Sequence, residues 1–489
     1  MMKTLFLNPP SYEGFDGGAG SRYQAKREIR SFWYPTWLAQ VAALVDDSKL
    51  IDAPPRGLTL EDVLPLAGEY DLLVMFTTAG SFRSDIKVAE AFKAANPRLR
   101  IGMVGAHVAT LPRQSLEASS ALDFVARHEF DYTIQEIALG VPYAEVDGIT
   151  WRNAAGEIAH NRDRALIDDM DVLPSVAKVY RRDLVIEDYF NGYLNHPYLS
   201  FYTGRGCRSK CSFCLWPQTI GGHVYRARSV AKVLEDLAEM KQLFPEVKEF
   251  FFDDDTLTDD RERTKQIAIG MGKLGLMWSC NAKPNVPRDV LEVMKANGLR
   301  LLLVGYESGV QQILNNIKKG TRLDIIRRFT ADCHELGILI HGTFILGLPG
   351  ETKETIQETI AFAKEMNPRS IQVSLPAPYP GTLLYQQATE NGWFRGDGLL
   401  RDDGVQHGTI SYPHLSAAEI EQGVADFYKA FYFRPRKIAE ITLEMGRSWD
   451  MTKRRLREGV EFFSYLRSRQ APKRRVLQRA TEQSVESRV

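Results

Sequence analysis

The sequence predicts an α/β protein: two successive parallel sheets followed by a helical C-terminal extension. Three observations carry this. Short β-branched runs alternate with amphipathic stretches from Lys3 to about Val146, a second such alternation runs from Tyr198 to about Ser374, and from Ser416 onward the spacing is helical. The 489 residues exceed what one core usually spans, and 44% hydrophobic with 25% charged residues excludes a disordered or collagen-like chain.

Residues 1–147 supply the first alternation, with strands at Thr4–Leu7, Lys49–Ala53, Asp71–Thr77, Arg100–Val104 and Ala121–Ala126 and helices at Trp37–Val45 and Ile86–Ala95. In an open parallel sheet ligands sit beyond the carboxyl ends of the strands. Here those ends carry Asn8-Pro9-Pro10, Asp52-Ala53-Pro54-Pro55-Arg56-Gly57, Thr77-Thr78-Ala79-Gly80, Gly105-Ala106-His107 and Arg127-His128-Glu129. Residues 148–192 read as a connector: a hairpin, Ile149–Arg152 with Glu157–His160 about Asn153-Ala154-Ala155-Gly156, then a linker with the acidic strip Asp168-Asp169-Met170-Asp171. Residues 193–415 hold six strands near Leu199–Tyr202, Glu249–Phe252, Met277–Cys280, Leu301–Gly305, Gly337–Leu346 and Ser370–Ser374, which suit a partial (β/α)6 barrel with its chemistry at the strand C-termini.

Residues 416–489 read as a helical, basic extension in which Leu456, Val460, Phe463 and Leu466 form one stripe among Arg454, Arg455, Arg457 and Arg467. Lys+Arg and Asp+Glu both number 62, yet from Arg434 onward fifteen basic side chains face seven acidic ones. That segment carries +8 and the remainder −8. It suits either an anionic surface or a solvated lid over the barrel. No aromatic-studded RNA-binding module accompanies it, so nucleic acid is not an expected partner. The first residues hold too short an apolar run for a secretory signal, no stretch approaches a membrane span, and the chain reads as cytoplasmic.

Three of the five cysteines lie in Gly204-Arg205-Gly206-Cys207-Arg208-Ser209-Lys210-Cys211-Ser212-Phe213-Cys214, directly after the first strand of the second alternation. Thiolates spaced x3 and x2 on a glycine-flanked loop can converge on a [4Fe-4S] cluster, leaving one iron open. Structural zinc favours four protein ligands, and His196 and His223 lie at unhelpful offsets. The remaining two, Cys280 and Cys333, read as buried apolar-type cysteines.

At these residues the chain resembles the radical SAM superfamily. The resemblance implies that Cys207, Cys211 and Cys214 hold the cluster, that its open iron binds S-adenosylmethionine (SAM), and that Phe213 lies beside the adenine. It also implies a flavodoxin- or ferredoxin-type electron donor. Phe250-Phe251-Phe252-Asp253-Asp254-Asp255-Thr256-Leu257-Thr258 looks like the FxDDxFT element of cobalamin-dependent members, with Leu257 where Phe is usual, and gives Asp254 and Asp255 to the SAM amino group. Glu307, in Gly305-Tyr306-Glu307-Ser308-Gly309, is implied at the ribose, and Ile345 and Gly347 at the adenine through the Gly347-Leu348-Pro349-Gly350 loop. Arg226 and Arg228 either meet the SAM carboxylate or cap the next helix.

The N-terminal sheet resembles the Rossmann-like cobalamin-binding domain of the same subfamily. Where histidine-ligating sites show Asp-x-His-x-x-Gly, this chain has Pro54 at the histidine position, which implies a corrinoid without a protein histidine on cobalt. The implied contacts are Asp52, Thr77, Thr78, Gly105, Ala106, His107 and Glu129; a remnant domain without ligand is the alternative. Gly14–Tyr23, Leu215–Thr219 and Trp278–Lys283 further resemble the hopanoid-biosynthesis-associated radical SAM proteins, which implies contraction of the sugar ring of a hopanoid glycoside to a cyclitol ether. The rival readings are a cobalamin-dependent C-methyltransferase and a non-catalytic corrinoid or redox sensor.

Overall fold

A computed structural model describes residues 1–10, 28–29, 31–395, 398–400, 405–446, 449 and 452–467. The Gly14–Tyr23 run and residues 468–489 lie outside the described residues.

The first sheet runs in the order β2-β1-β3-β4-β5-β6-β7: β1 (Thr4–Asn8), β2 (Ser48–Asp52), β3 (Leu72–Phe76), β4 (Arg100–Val104) and β5 (Phe124–Ala126) are parallel, and β6 (Ile149–Arg152) and β7 (Ile158–His160) are antiparallel. Both faces are buried, which explains why the strands read as nearly continuous apolar runs. Leu5, Leu7, Leu73, Met75 and Met103 face one core. Phe6, Val74, Phe76 and Val104 face the other, which is continuous with the barrel's. The order reverses between β1 and β3, the switch point at which open sheets bind ligands.

The hairpin is not a connector. Thr150 pairs with Val125, so residues 149–160 extend the first sheet and cover the backbone groups that β5 would otherwise leave at an open edge. Buried Arg127 fixes this extension through the Thr150 hydroxyl at 2.8 Å, the Asn161 carbonyl and Asp163.

The second sheet is parallel throughout, in the order β15-β14-β13-β12-β11-β8, with β8 (Tyr198–Phe201), β11 (Glu249–Phe252), β12 (Trp278–Ala282), β13 (Leu299–Glu307), β14 (Leu339–Ile345) and β15 (Ser370–Ser374). A short antiparallel ribbon, β9 (Gly204–Arg205) with β10 (Arg226–Ala227), brackets the cysteine loop. Along β14 and β15 the helix-facing Ile340, Phe344, Ile371 and Val373 are buried. Leu339, Thr343, Ile345, Ser370, Gln372 and Ser374, which face inward, stay half-exposed, so the barrel interior is open.

The C-terminal helices close the gap between the edge strands β15 and β8. Helix Ala417–Tyr432 starts on a Ser416/Glu419 capping box. Its Tyr428 and Tyr432 hydroxyls accept the Val373 and Ile371 N–H groups, at 2.8 and 3.0 Å, on the free side of β15. Helix Pro435–Met445 and the helical residues 452–467 follow. An ion-pair chain then crosses the gap: Arg369 to Glu444, Glu444 to Arg455 at 2.8 Å, Arg455 to Glu458 at 2.6 Å and Glu458 to Arg454 at 2.8 Å. Arg454 reaches the Gly192 and Leu194 carbonyls just ahead of β8. Among the described residues the basic extension is therefore a lid on one face, with Tyr465 and Leu466 in the core. Leu456, Val460 and Phe463 of the expected stripe are instead exposed. No described helix is long and apolar enough to cross a membrane.

The two sheets are joined by four buried charges. Arg205 donates two hydrogen bonds to Asp131 at 2.7 and 2.9 Å, Arg226 donates two to Glu129 at 2.8 and 2.7 Å, and Arg205 also lies 3.6 Å from Glu129. Breaking a buried pair from one side leaves an uncompensated charge and costs about 3–5 kcal/mol. Glu129→Ala is expected to lower unfolding stability by that amount in a urea titration, with Glu129→Gln recovering part of it. A loss under about 1 kcal/mol, as for a surface pair, would contradict this placement.

Candidate active site

The cysteine loop owes its shape to glycine and to a cross-strand anchor. Gly206 adopts φ +86, and a Cβ there would stand 2.2 Å from the Val224 carbonyl oxygen, so only glycine lets the two arms approach. Cys207 and Cys211 are buried and Cys214 is half-buried, all three with free thiols. The loop backbone is tied down by Ser212 N–H to the Ile317 carbonyl at 2.9 Å, and the Gln218 amide donates to the Cys214 carbonyl at 2.7 Å. Among the described residues no three Cys, His, Asp or Glu side chains close on a single-ion point. A cubane asks instead for one thiolate on each of three irons, and three thiols on one pinned, largely dry loop fit that requirement.

Glu307 ends β13 at a bulge, where the pairing register with β14 shifts between Gly305 and Glu307. Its backbone sits at φ +63, uncommon for a non-glycine residue, and bulges of this kind re-aim side chains beside functional sites. The carboxylate accepts from Lys319 Nζ at 2.7 Å. Burial pulls the Lys319 ammonium down, but Glu307 and the Cys211 sulfur more than reverse this and hold it above its ordinary value. The same burial pushes the Cys211 thiol up while Lys319 draws it down. Lys319 thus stands between the expected cluster and the expected ribose ligand. Nothing in its Lys318-Lys319-Gly320 setting marks it in the sequence, because only the fold brings that loop beside the cysteines.

The acidic run divides differently from the expectation. Asp254 is wholly buried and spends its carboxylate on the Thr203 N–H and hydroxyl, at 3.0 and 2.8 Å, and on the Tyr225 hydroxyl at 3.0 Å. Burial raises its pKa. It fastens the start of the cysteine loop instead of facing the cavity. Asp255 is half-buried, and Asp253 lines the cavity, accepting from the Asn281 amide at 3.0 Å. Asn281, also on the cavity wall, keeps a buried Oδ1 without a hydrogen-bond partner among the described residues.

Both arginines offered to SAM are engaged elsewhere. Arg226 belongs to the buried charge group, and Arg228 pairs with Asp236 of the next helix and with the Pro174 carbonyl at 3.0 Å. Glu129 lies 97 residues from Arg226, too far along the chain for the motif to reveal, whereas Asp236 lies eight residues from Arg228 on the next helix, the alternative that the sequence offered. Ile345 and Phe213 line the cavity. Gly347, at φ +98, donates its N–H to Glu351 at 3.0 Å, and burial pushes the Glu351 carboxyl up to about 7.

In the first sheet the candidates also separate. The Asp52 carboxylate is buried and accepts from Asn8 at 2.6 Å and Tyr189 at 2.8 Å, and burial raises its pKa to about 7. Thr77 is buried with its hydroxyl on Asp85 at 2.7 Å, and Glu129 is spent on Arg226 and the Ile167 N–H. These three are structural here. Thr78, Gly105, Ala106 and His107 stay together at the ends of β3 and β4. A Cβ on Gly105 would lie 2.3 Å from the Thr77 carbonyl oxygen. His107 lies against Phe82 with ring centroids 4.3 Å apart and the planes tilted by 40°, burial lowers its pKa to about 4, and its Nδ1 has no hydrogen-bond partner among the described residues. An orphaned neutral imidazole beside a glycine cradle fits a bulky polar ligand. The short helix Ala106–Thr110 packs on Pro217–Gly221, which places this end of the sheet against the segment following the cysteines.

A cavity of about 650 Å³ occupies the barrel. Cys214, Asp253, Asn281 and Glu307 line its cysteine end, Leu303, His341 and Gln372 its middle, and Leu301, Leu339 and the C-terminal helices its far end. With β14 advancing about 3.3 Å per residue, the barrel section alone is about 20 Å long.

Lys319→Gln tests the charge beside the cysteines. Removing a cation next to an iron–sulfur cluster disfavours the more negative reduced state. The variant is expected to show a more negative cluster potential in a redox titration and about tenfold slower SAM cleavage. An unchanged potential would reduce Lys319 to a partner of Glu307.

Comparison with known proteins bears on the whole chain. Residues 201–363 match the radical SAM superfamily. An uncharacterized methyltransferase of Pyrococcus horikoshii is 26% identical over 460 residues, spanning 91% of this chain and 95% of its own. Cytidylyl-2-hydroxyethylphosphonate methyltransferase of Streptomyces wedmorensis is 25% identical over 495 residues, spanning 88% and 90%. Among solved structures, the cobalamin-dependent SAM radical enzyme OxsB, with aqua-cobalamin and SAM bound, superposes with a TM-score of 0.67 at 15% identity over 94% of this chain and 72% of its own. The radical SAM methyltransferase TsrM from Kitasatospora setae gives 0.65 at 14% identity over 89% and 90%. At such identities the likeness is one of fold. The barrel that presents Cys207, Cys211 and Cys214 is thus a radical SAM domain, the kind that works with a [4Fe-4S] cluster and SAM, set in a chain that shares its two-sheet fold with OxsB and TsrM.

Proposed function

We propose that this chain rearranges the sugar head of a hopanoid glycoside, contracting the ring to a cyclitol ether. The observation that carries the reading is the barrel cavity: elongated, with a wall of Leu301, Leu303 and Leu339 faced by His341, Ser370 and Gln372, and with Asp253, Asn281 and Glu307 where it meets the cysteine loop. An amphiphile with an apolar body against the leucine wall and a hydroxylated head suits this mixed lining. Likeness of Leu215–Thr219 and Trp278–Lys283 to the hopanoid-associated proteins supports the same class, and the latter run contributes Asn281 to the cavity wall.

Cys207, Cys211 and Cys214 would hold the cluster, with Phe213, Asp255, Glu307, Ile345 and Gly347 around SAM. When bound, the cluster and SAM supply a 5'-deoxyadenosyl radical able to remove a ring hydrogen. Asp253 and Asn281 orient the head through its hydroxyls, the unpartnered Asn281 Oδ1 accepting one of them. Leu301, Leu303 and Leu339 hold the hydrocarbon, and the filled channel excludes water from the reacting end. Cobalamin belongs at Thr78, Gly105, Ala106 and His107, where the orphaned imidazole supports a ligand. A flavodoxin- or ferredoxin-type protein supplies electrons, and the chain works in the cytoplasm against a membrane that holds its substrate.

Methyl transfer is the second reading, favoured by relatives that are methyltransferases. One experiment separates the two. Holoenzyme is incubated anaerobically with SAM, reductant and detergent-solubilised hopanoid glycoside, and products are read by mass spectrometry. Ring contraction yields a product isomeric with the substrate, the hydrogen lost to 5'-deoxyadenosine being replaced by an electron from the reductant and a proton from solvent, and this product is absent with Cys207→Ala. A product heavier by one methylene, with S-adenosylhomocysteine beside 5'-deoxyadenosine, would establish methyl transfer instead.

A further inference from the structure

We propose that the barrel end remote from the cysteine loop is the substrate's entrance and that its apolar rim seats on an anionic bilayer. The proposal deepens the lipid reading above and rests on it for the identity of what passes through.

The cavity reaches that end. Arg300, Leu339, Arg369 and Ser370, at the N-terminal ends of β13, β14 and β15, line it together with the helix Pro435–Met445 and residues 452–467. Phe433, Ile438 and Phe463 line the cavity and yet are 49%, 49% and 51% exposed. A side chain that faces both a cavity and solvent stands at its mouth. The Phe433 and Phe463 rings stack across this mouth with centroids 6.2 Å apart. The apolar surface continues outward through Leu443, Leu456 and Val460, exposed by 73%, 57% and 71%. Leu456, Val460 and Phe463 follow one helical stripe, while Arg454, Arg455 and Glu458 of the same helix turn inward to the ion-pair chain. A contiguous patch of large exposed apolar side chains marks an interaction site.

Charge selects the occupant. Arg436 and Arg457 stand exposed on the same two helices, each with one carboxylate near it, Glu440 at 3.3 Å and Glu461 at 3.9 Å. The sequence beyond them, residues 468–489, adds six Lys and Arg against two Glu. Apolar side chains set among cations suit anionic headgroups over acyl chains. A two-fold partner copy would bring like charges face to face and block the mouth. The mouth also fits a head-first passage: Arg369, Glu444, Arg455, Glu458 and Arg454 all line the cavity, so the hydroxyls of an entering head meet an ion-pair ladder and then His341, Ser370 and Gln372 on the way in. The head then reaches Asn281 and Glu307 while the hydrocarbon follows from the membrane.

The test is vesicle flotation with full-length holoenzyme, using neutral phosphatidylcholine vesicles and vesicles with added phosphatidylglycerol. The variant combines Leu443→Asp, Leu456→Asp and Val460→Asp, exposed positions outside the cavity lining. Wild type is expected to float with the anionic vesicles and to be released as salt rises, and the variant to lose about tenfold or more in bound fraction. The variant should keep its melting midpoint and its turnover of detergent-solubilised substrate, and lose turnover of substrate embedded in vesicles. Wild type that floats with neither vesicle overturns the proposal. So does a dimer in lipid-free solution that the variant dissociates, since the patch would then be an interface between copies. Conversion of solubilised lipid without flotation removes the entrance and leaves the lipid reading; flotation without conversion of any hopanoid glycoside does the reverse.

Discussion

Arg205 and Arg226 flank the cysteine loop, one on each strand of the β9–β10 ribbon, and both donate to carboxylates of the other sheet's C-terminal edge, Asp131 and Glu129. Four charges taken out of water are expensive, and the arrangement is tolerable because each arginine is held bidentate and Glu129 also accepts the Ile167 N–H. Arg205 lies in addition over the Trp37 ring, 4.3 Å from its centroid, and Trp37 stacks on Trp216 just past Cys214. A hydrophobic contact could slide; a fork-to-fork ion pair fixes register. The consequence is that the loop expected to carry the cluster and the ligand-binding edge of the first sheet are set against each other as one rigid piece. Radical chemistry needs that, since reacting groups must be held within a fraction of an ångström.

Rigidity at one end of the barrel contrasts with the other. Near the cysteines, Glu307 sits in left-handed backbone at a bulge and is balanced by Lys319. At the far end, the opening between β8 and β15 is spanned by side-chain ion pairs and two tyrosine hydroxyls instead of a strand ladder. A closed barrel of this size would fill its interior with side chains. An open one with an unprotected edge would invite pairing with other chains. Helix Ala417–Tyr432 and residues 452–467 resolve the conflict by covering the edge while leaving a mouth.

Much of this was legible in the sequence. The two alternations of strand and helix, the six barrel strands and the cysteine loop are local patterns, and periodicity and spacing report them well. The misreadings share one cause, which is that partners distant in sequence decide what a charged group does. Arg226 reads as a partner of SAM or of the next helix, and Glu129, 97 residues away, holds it instead. The run offers Asp254 and Asp255 together, yet Thr203 and Tyr225 claim Asp254, and Asp253 lines the cavity. The hairpin at 149–160 read as a connector because pairing with β5 leaves no mark on either strand's composition. Lys319 carried no signal at all.

The central claim is that the cysteine end of this channel brings a radical to a hydrogen on the head ring of a lipid, and isotope transfer addresses it most directly. Hopanoid glycoside deuterated throughout its sugar ring is incubated anaerobically with holoenzyme, SAM and reductant, and the 5'-deoxyadenosine formed is isolated for mass spectrometry. The account predicts deuterium in the 5'-deoxyadenosine, formed in step with product. Turnover of the lipid with 5'-deoxyadenosine free of deuterium would contradict it.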